Sequence, residues 1–167
     1  MDISEFIEVA KNLNVLGIKI TKDGELAAEW HSEPECRRNI YSATKSFTSC
    51  AVGFAVQEGL IDLNEKLTEA FSGDMPENID DNLKSATVQD LLTMCLGQEK
   101  GNLMGEQRPL YKEDDWVKMS LAVPFKYRPG THFVYNNVGP YLAGILSRKR
   151  ANAFQRTRVF RCDDSVG

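Results

Sequence analysis

In the stretch "IYSATKSF", Ser42 and Lys45 stand three residues apart where a long apolar run begins. If a helix starts there, that spacing puts both side chains on one face. A serine hydroxyl is a poor nucleophile near neutral pH and needs a base within hydrogen-bond reach. Lysine can be that base only if its charged form is disfavoured. The positive end of the helix dipole acts in that direction, and burial beside Phe47, Ala51 and Val52 would add to it. The free N–H groups of the first turn could also hold an oxyanion. Alone, S-x-x-K is commonplace, and its ordinary meaning is a surface cap with a solvated lysine. Here it opens a long apolar helix, into whose surroundings a charged lysine is costly to point.

The second cluster, "PGTHFVYNN", places Tyr135 93 residues after Ser42 and sets Asn136 and Asn137 behind it. Together the two clusters resemble the serine β-lactamase and penicillin-binding protein superfamily. The resemblance is to the branch holding class C β-lactamases, D-alanyl-D-alanine carboxypeptidases and related esterases. There S-x-x-K opens the central helix and Y-x-N follows roughly ninety residues later. "LIDLNEKL", "TVQDLLTM" and "PGTHFVYNNVGPYLAG" are similar to further family segments, so the resemblance covers residues 1 to about 147.

This resemblance implies a role for each matching residue. Ser42 would be acylated, Lys45 would share its proton, and Tyr135 would be the acid/base partner of the serine and the leaving group. A tyrosine near pKa 10 can do this only if nearby cations lower it. Asn137 would hydrogen-bond Lys45 and bind the carbonyl region of a small ester, amide or peptide substrate. Without Ser42 and Lys45, Tyr135 would read as a partly buried aromatic with its hydroxyl on a backbone carbonyl. Neither a cofactor nor a metal is implied. Two departures stand out. Met94 and Leu96 occupy positions where many members have histidine and serine, which leaves substrate preference open. The family's third motif, K-T-G or H-x-G, is absent after Ser147. Its strand supplies one oxyanion donor and a cation near the tyrosine.

The elements that must carry these residues can be read from periodicity. Ile3, Phe6, Ile7 and Ala10 mark one face of a short amphipathic helix. "VLGIKI" and "LAAEW" flank Asp23-Gly24 as a β-hairpin. A helix runs from about Ser42 to Leu60 with Gly59 as its C-cap. Thr87 and Asp90 cap the helix "TVQDLLTM". "EDDWVKMSLAV" is a helix with acids in its first turn. "YRPGTHFVYNN" is a turn and an extended segment, and "VGPYLAGILSR" is the last apolar helix. The fold class is therefore α/β (α+β), β-lactamase/transpeptidase-like and truncated: an N-terminal helix, an edge hairpin and a helical subdomain, with the rest of the sheet missing. Two strands do not make an independently stable sheet, so self-association is expected.

A chain of 167 residues, 42% apolar and 26% charged, is long enough for one domain with a core. No stretch reaches the ~20 apolar residues of a membrane helix, and the acidic N-terminus is no signal peptide. The cytoplasm is the default reading. Cys36, Cys50, Cys95 and Cys162 lack C-x-x-C spacing and read as free thiols, and His31 and His132 lack metal-ligand spacing. The net charge of −4 divides into −8 over residues 1–147 and +4 over residues 148–167. Residues 148–167 read as a basic tail unlike the family, from a frameshift or truncation near residue 148. The rival functional readings are an inactive pseudo-enzyme or binding remnant, and, more weakly, a basic-tailed nucleic-acid-binding module.

Overall fold

The computed structural model describes residues 1–34 and 36–162, with side chains described through Ala153. The chain divides into two compact units, Met1–Ile40 and the remainder from Tyr41. In the first unit, helix α1 (Ser4–Asn12) is followed by strands β1 (Gly17–Lys22) and β2 (Glu25–His31). Asp23 and Gly24 both have positive φ, at 53° and 84°. This is the two-residue turn whose twist matches the flanking strands. The antiparallel register pairs Ile20 with Ala28 and Thr21 with Leu26, leaving Ala27 as a bulge. The N-terminal ammonium donates to the Ala27 carbonyl at 3.1 Å.

The face expected on α1 is only half realised. Ile3 and Ala10 are buried, but Phe6 is exposed. With Val9, Leu13, Val15 and Ile18 it lines an apolar groove of about 450 Å³. Among the described residues β1 and β2 form a two-stranded sheet, so each strand leaves one edge unpaired.

The second unit opens with a single 3₁₀ turn, Tyr41–Ala43, that runs into α2 (Thr44–Gln57). Helix α2 ends as its glycine suggests. Gly59 has φ 69°, its N–H donates to Val56 O, and the Leu60 N–H donates to Ala55 O at 2.8 Å. These two bonds make a Schellman cap. Short helices follow: α3 (Leu67–Ala70), α4 (Asp81–Ser85), α5 (Val88–Thr93) and α6 (Trp116–Leu121). The Asp90 carboxylate accepts from the Thr87 N–H and hydroxyl at 2.8 and 2.7 Å, as the cap reading requires. Helix α6 starts later than its acids suggest, and Asp115 is its N-cap, accepting from Val117 N and Lys118 N.

The last helix, α7 (Val138–Cys162), packs against α2 and α5. Val52 and Ala55 of α2, Leu91 of α5, and Val138, Leu142, Ala143 and Leu146 of α7 share one core. Gly139 makes the α5–α7 approach possible, since a Cβ there would lie 2.2 Å from the Leu91 carbonyl oxygen. The apolar pattern ends near Arg148, yet the backbone stays helical to Cys162. Ion pairs replace apolar packing at that point. Lys149 meets Asp74 at 2.8 Å, and Arg150 pairs with Glu65. The outer face of α2 is uncovered among the described residues: Phe47 and Phe54 are 68% and 67% exposed.

Core substitutions should report this arrangement. Leu91→Ala should cost about 2–5 kcal/mol, and Gly139→Ala about 1–3 kcal/mol by forcing α5 and α7 apart. Urea unfolding followed by circular dichroism checks both. A Gly139→Ala chain as stable as the parent would disprove the close approach.

Candidate active site

Ser42 lies in the 3₁₀ turn and Lys45 in the first turn of α2, so both sit on one short helical path. The residue before Ser42, Tyr41, has φ 44° without being glycine. Such a conformation is strained and persists only where its surroundings fix it. The Lys45 Nζ donates to Ser42 Oγ at 3.1 Å. The Tyr135 hydroxyl lies 2.6 Å from the same Oγ, and either hydroxyl can donate. The Lys45 ammonium also stands 5.1 Å from the centre of the Tyr135 ring, within cation–π range. Three residues separated by up to 93 positions thus meet at one oxygen. The Tyr135 phenol is held below its ordinary value of 10, first by the Ser42 hydroxyl and then by Lys45. Both donors stabilise the phenolate. The apolar enclosure expected around Lys45 is not formed. Phe47 and Ala51 are exposed, and only Val52 is buried. Tyr135 is itself 42% exposed, so the site is open to water.

Backbone contacts hold the Tyr135 segment. The turn at Pro129-Gly130 has Gly130 at φ 80°. The Gly130 N–H donates to Cys95 O at 2.8 Å, and the Val134 N–H donates to Met94 O at 3.0 Å. Residues 132–136 form neither helix nor strand. Asn137 faces elsewhere than the resemblance implies. Its side-chain amide donates to Leu103 O at 2.8 Å, and its N–H donates to Asn102 O. Among the described residues no hydrogen bond joins it to Lys45. Asn136, which no motif reading singled out, is buried. Its Oδ1 accepts from the Gly139 N–H at 2.8 Å and its Nδ2 donates to Val134 O. An asparagine just before an apolar helix is the signal that would have marked it as a cap.

With this geometry in place, comparison with known proteins decides the family. A family model described as Beta-lactamase matches residues 9–161. The chain belongs to the beta-lactamase family. No curated relative matches it. Among solved structures, it is similar to the octameric penicillin-binding protein homologue from Pyrococcus abyssi, at 25% identity and TM-score 0.66, over 91% of this chain and 40% of that one. It shares its fold with a class C beta lactamase, at 18% identity and TM-score 0.67, over 89% of this chain and 43% of that one. The chain therefore spans about two fifths of the length of these structures.

Met94 and Leu96, where this chain departs from the family pattern, have structural uses. Met94 takes φ 57° and ends α5 in the left-handed conformation, offering its carbonyl to Val134. Leu96 is buried in the core. Among the described residues no cluster of three or more His, Cys, Asp or Glu is arranged for a metal ion, and no helix is long and apolar enough to cross a membrane. Cys36, Cys50 and Cys95 are free. Cys162 lies beyond the described side chains.

The hydrogen bond to Ser42 leads the causes of the Tyr135 shift. Ser42→Ala removes a donor to the phenolate and should therefore raise the Tyr135 pKa toward 10. Ultraviolet difference titration, with Tyr135→Phe to assign the signal, checks this. An unchanged titration would mean that the two hydroxyls do not interact.

Proposed function

We propose that this protein is a β-lactamase-related serine hydrolase that acts on an ester or amide through an acyl-enzyme on Ser42. One observation carries the reading: Ser42 Oγ is bonded at once to Lys45 Nζ at 3.1 Å and to the Tyr135 hydroxyl at 2.6 Å. On this reading Tyr135 acts as the phenolate, which the Ser42 and Lys45 hydrogen bonds favour, and takes the serine proton to become the neutral phenol as Oγ attacks the carbonyl. It then returns that proton to the leaving group. Lys45, donating to Ser42 Oγ at 3.1 Å, shares in that proton transfer, and Asn137 contacts the substrate amide or ester once its present bond to Leu103 is exchanged. Small ester, amide or peptide molecules are the substrate class.

The reaction should be impaired in these residues alone. The 167 residues contain neither K-T-G nor H-x-G. Loss of one oxyanion donor costs about 10²–10³ in rate. The openness of Tyr135 favours, as the second reading, an inactive pseudo-enzyme or binding remnant of the same fold. The nucleic-acid reading loses support, because Lys149 and Arg150 are paired with Asp74 and Glu65.

A fluorophosphonate probe should label Ser42, slowly but specifically, and Ser42→Ala should abolish labelling. Lys45→Ala and Tyr135→Phe should each slow it by at least ~10²-fold. Labelling at another serine, or full labelling in Lys45→Ala, would sink the assignment. Hydrolysis of nitrocefin should not exceed that of the Ser42→Ala control. Ser42-dependent turnover would show that the oxyanion is stabilised without the third motif. The unpaired edges of β1 and β2 and the exposed apolar side chains also predict self-association. Sedimentation velocity should show species larger than a monomer, and a monodisperse monomer would refute this.

A further inference from the structure

The loop that follows Gly97 makes unusual contacts with the Tyr135 segment. A Cβ at Gly101 would lie 2.5 Å from the Tyr135 carbonyl oxygen, so only glycine lets the two backbones stand this close. Two residues on, Leu103 is buried with φ 57°, a conformation leucine rarely adopts. Its N–H donates to the Tyr111 hydroxyl at 3.2 Å, and its carbonyl accepts from the Asn137 amide at 2.8 Å. At the centre of this loop sits the Gln107 side chain. Its Nε2 donates to Gly101 O at 3.2 Å. Its Oε1 accepts from Met104 N and from the Tyr111 hydroxyl, each at 3.0 Å. The Tyr111 ring meets Trp116 edge-on, and Trp116 meets Tyr141 of α7, with centroids 6.1 Å apart in both pairs. The Tyr141 N–H donates back to Asn137 O at 3.2 Å. The circuit is closed: the loop grips Asn137 on one side and reaches the first turn of α7 on the other.

We propose that residues 101–111, folded around Gln107, are a clamp that sets Tyr135 against Ser42 and holds Asn137 through Leu103, with Gly101 and Gln107 as positioning residues. Neither touches Ser42 or Lys45 through any hydrogen bond given above. Gly101 fixes where the Tyr135 backbone can lie, and Gln107 fixes where Gly101 lies. Because the clamp holds the Asn137 amide through Leu103, it also governs when that amide is free for a substrate carbonyl. This inference rests on reading Tyr135 as the partner of Ser42.

The test is the titration of Tyr135 in the full chain, followed by NMR of ¹³C-labelled tyrosine and assigned with Tyr135→Phe. In the parent chain Tyr135 should titrate below the free-tyrosine value. Gly101→Ala and Gln107→Ala should each return it by about half of that depression or more, since a displaced phenol loses its donors. Tyr111→Phe removes one oxygen while keeping the ring, and should shift it in the same direction by less. Leu83→Ala, a core change in α4, should lower stability without moving the Tyr135 titration. If Gly101→Ala does not fold, Gln107→Ala and Tyr111→Phe decide. Identical Tyr135 titration in the parent and the clamp variants would overturn the proposal, as would a parent Tyr135 at the free-tyrosine value. Fluorophosphonate labelling in parallel separates the two readings. If the clamp variants move Tyr135 but Tyr135→Phe labels at the parental rate, the clamp stands and the catalytic reading falls.

Discussion

The contact between Ser42 Oγ and the Tyr135 hydroxyl, 2.6 Å long, joins positions 93 residues apart. Closing a loop of that length costs about 4 kcal/mol in chain entropy, whereas one hydrogen bond returns only about 0.5–1.5 kcal/mol net. The bond therefore cannot assemble the site; it must be a consequence of packing elsewhere. Helix α7 supplies that packing. Its first turns press against α5 at Gly139 and against α2 through the shared core of Val52, Ala55, Leu142 and Leu146. Ser42 extends from the start of α2, and Tyr135 lies just ahead of α7. Once the two helices are locked, the ends that carry the hydroxyls have little freedom left.

The same logic explains why two adjacent asparagines have different uses. Asn136 is buried and spends both polar atoms on backbone, with Oδ1 on Gly139 N–H and Nδ2 on Val134 O. It joins the Tyr135 segment to the first turn of α7. Asn137 is partly buried and is held by the loop at Leu103. One ties the segment to α7, and the other ties it to the loop. A substitution at Asn136 should therefore act through stability.

Much of this was legible in the residues. Asp23-Gly24, Gly59 and the Thr87/Asp90 pair each encode a local geometry by themselves, and the structure places each as read. Ser42, Lys45 and Tyr135 meet as their spacing and the family resemblance imply. What was not legible depends on tertiary context. Phe6 shares the helical period of Ile3 and Ala10, yet it is exposed, because a period says which side chains share a face and not what covers that face. The clamp residues Gly101, Gln107 and Tyr111 lie in a polar loop with no period. Their significance comes from one close backbone approach and one side chain with three bonds, neither of which leaves a mark on composition. The enclosure of Lys45 failed as an expectation for the same reason: Phe47 points to the uncovered side of α2.

Part of the basic segment meets acids of the body through α7. Residues 148–150 are all basic, and a basic run after an acidic body invites a nucleic-acid reading. In the structure Lys149 reaches Asp74, and Arg150 reaches Glu65. Lys149 also lies 5.5 Å from the ring centre of Phe71, so its charge sits over an aromatic face. Surface ion pairs are worth only about 0–1 kcal/mol each, so these contacts cannot anchor a helix that lacks other support. They lie just past Leu146, the last buried apolar residue of α7 among the described residues. Among the described residues, then, two bases of α7 are met by two acids of the body, Asp74 and Glu65.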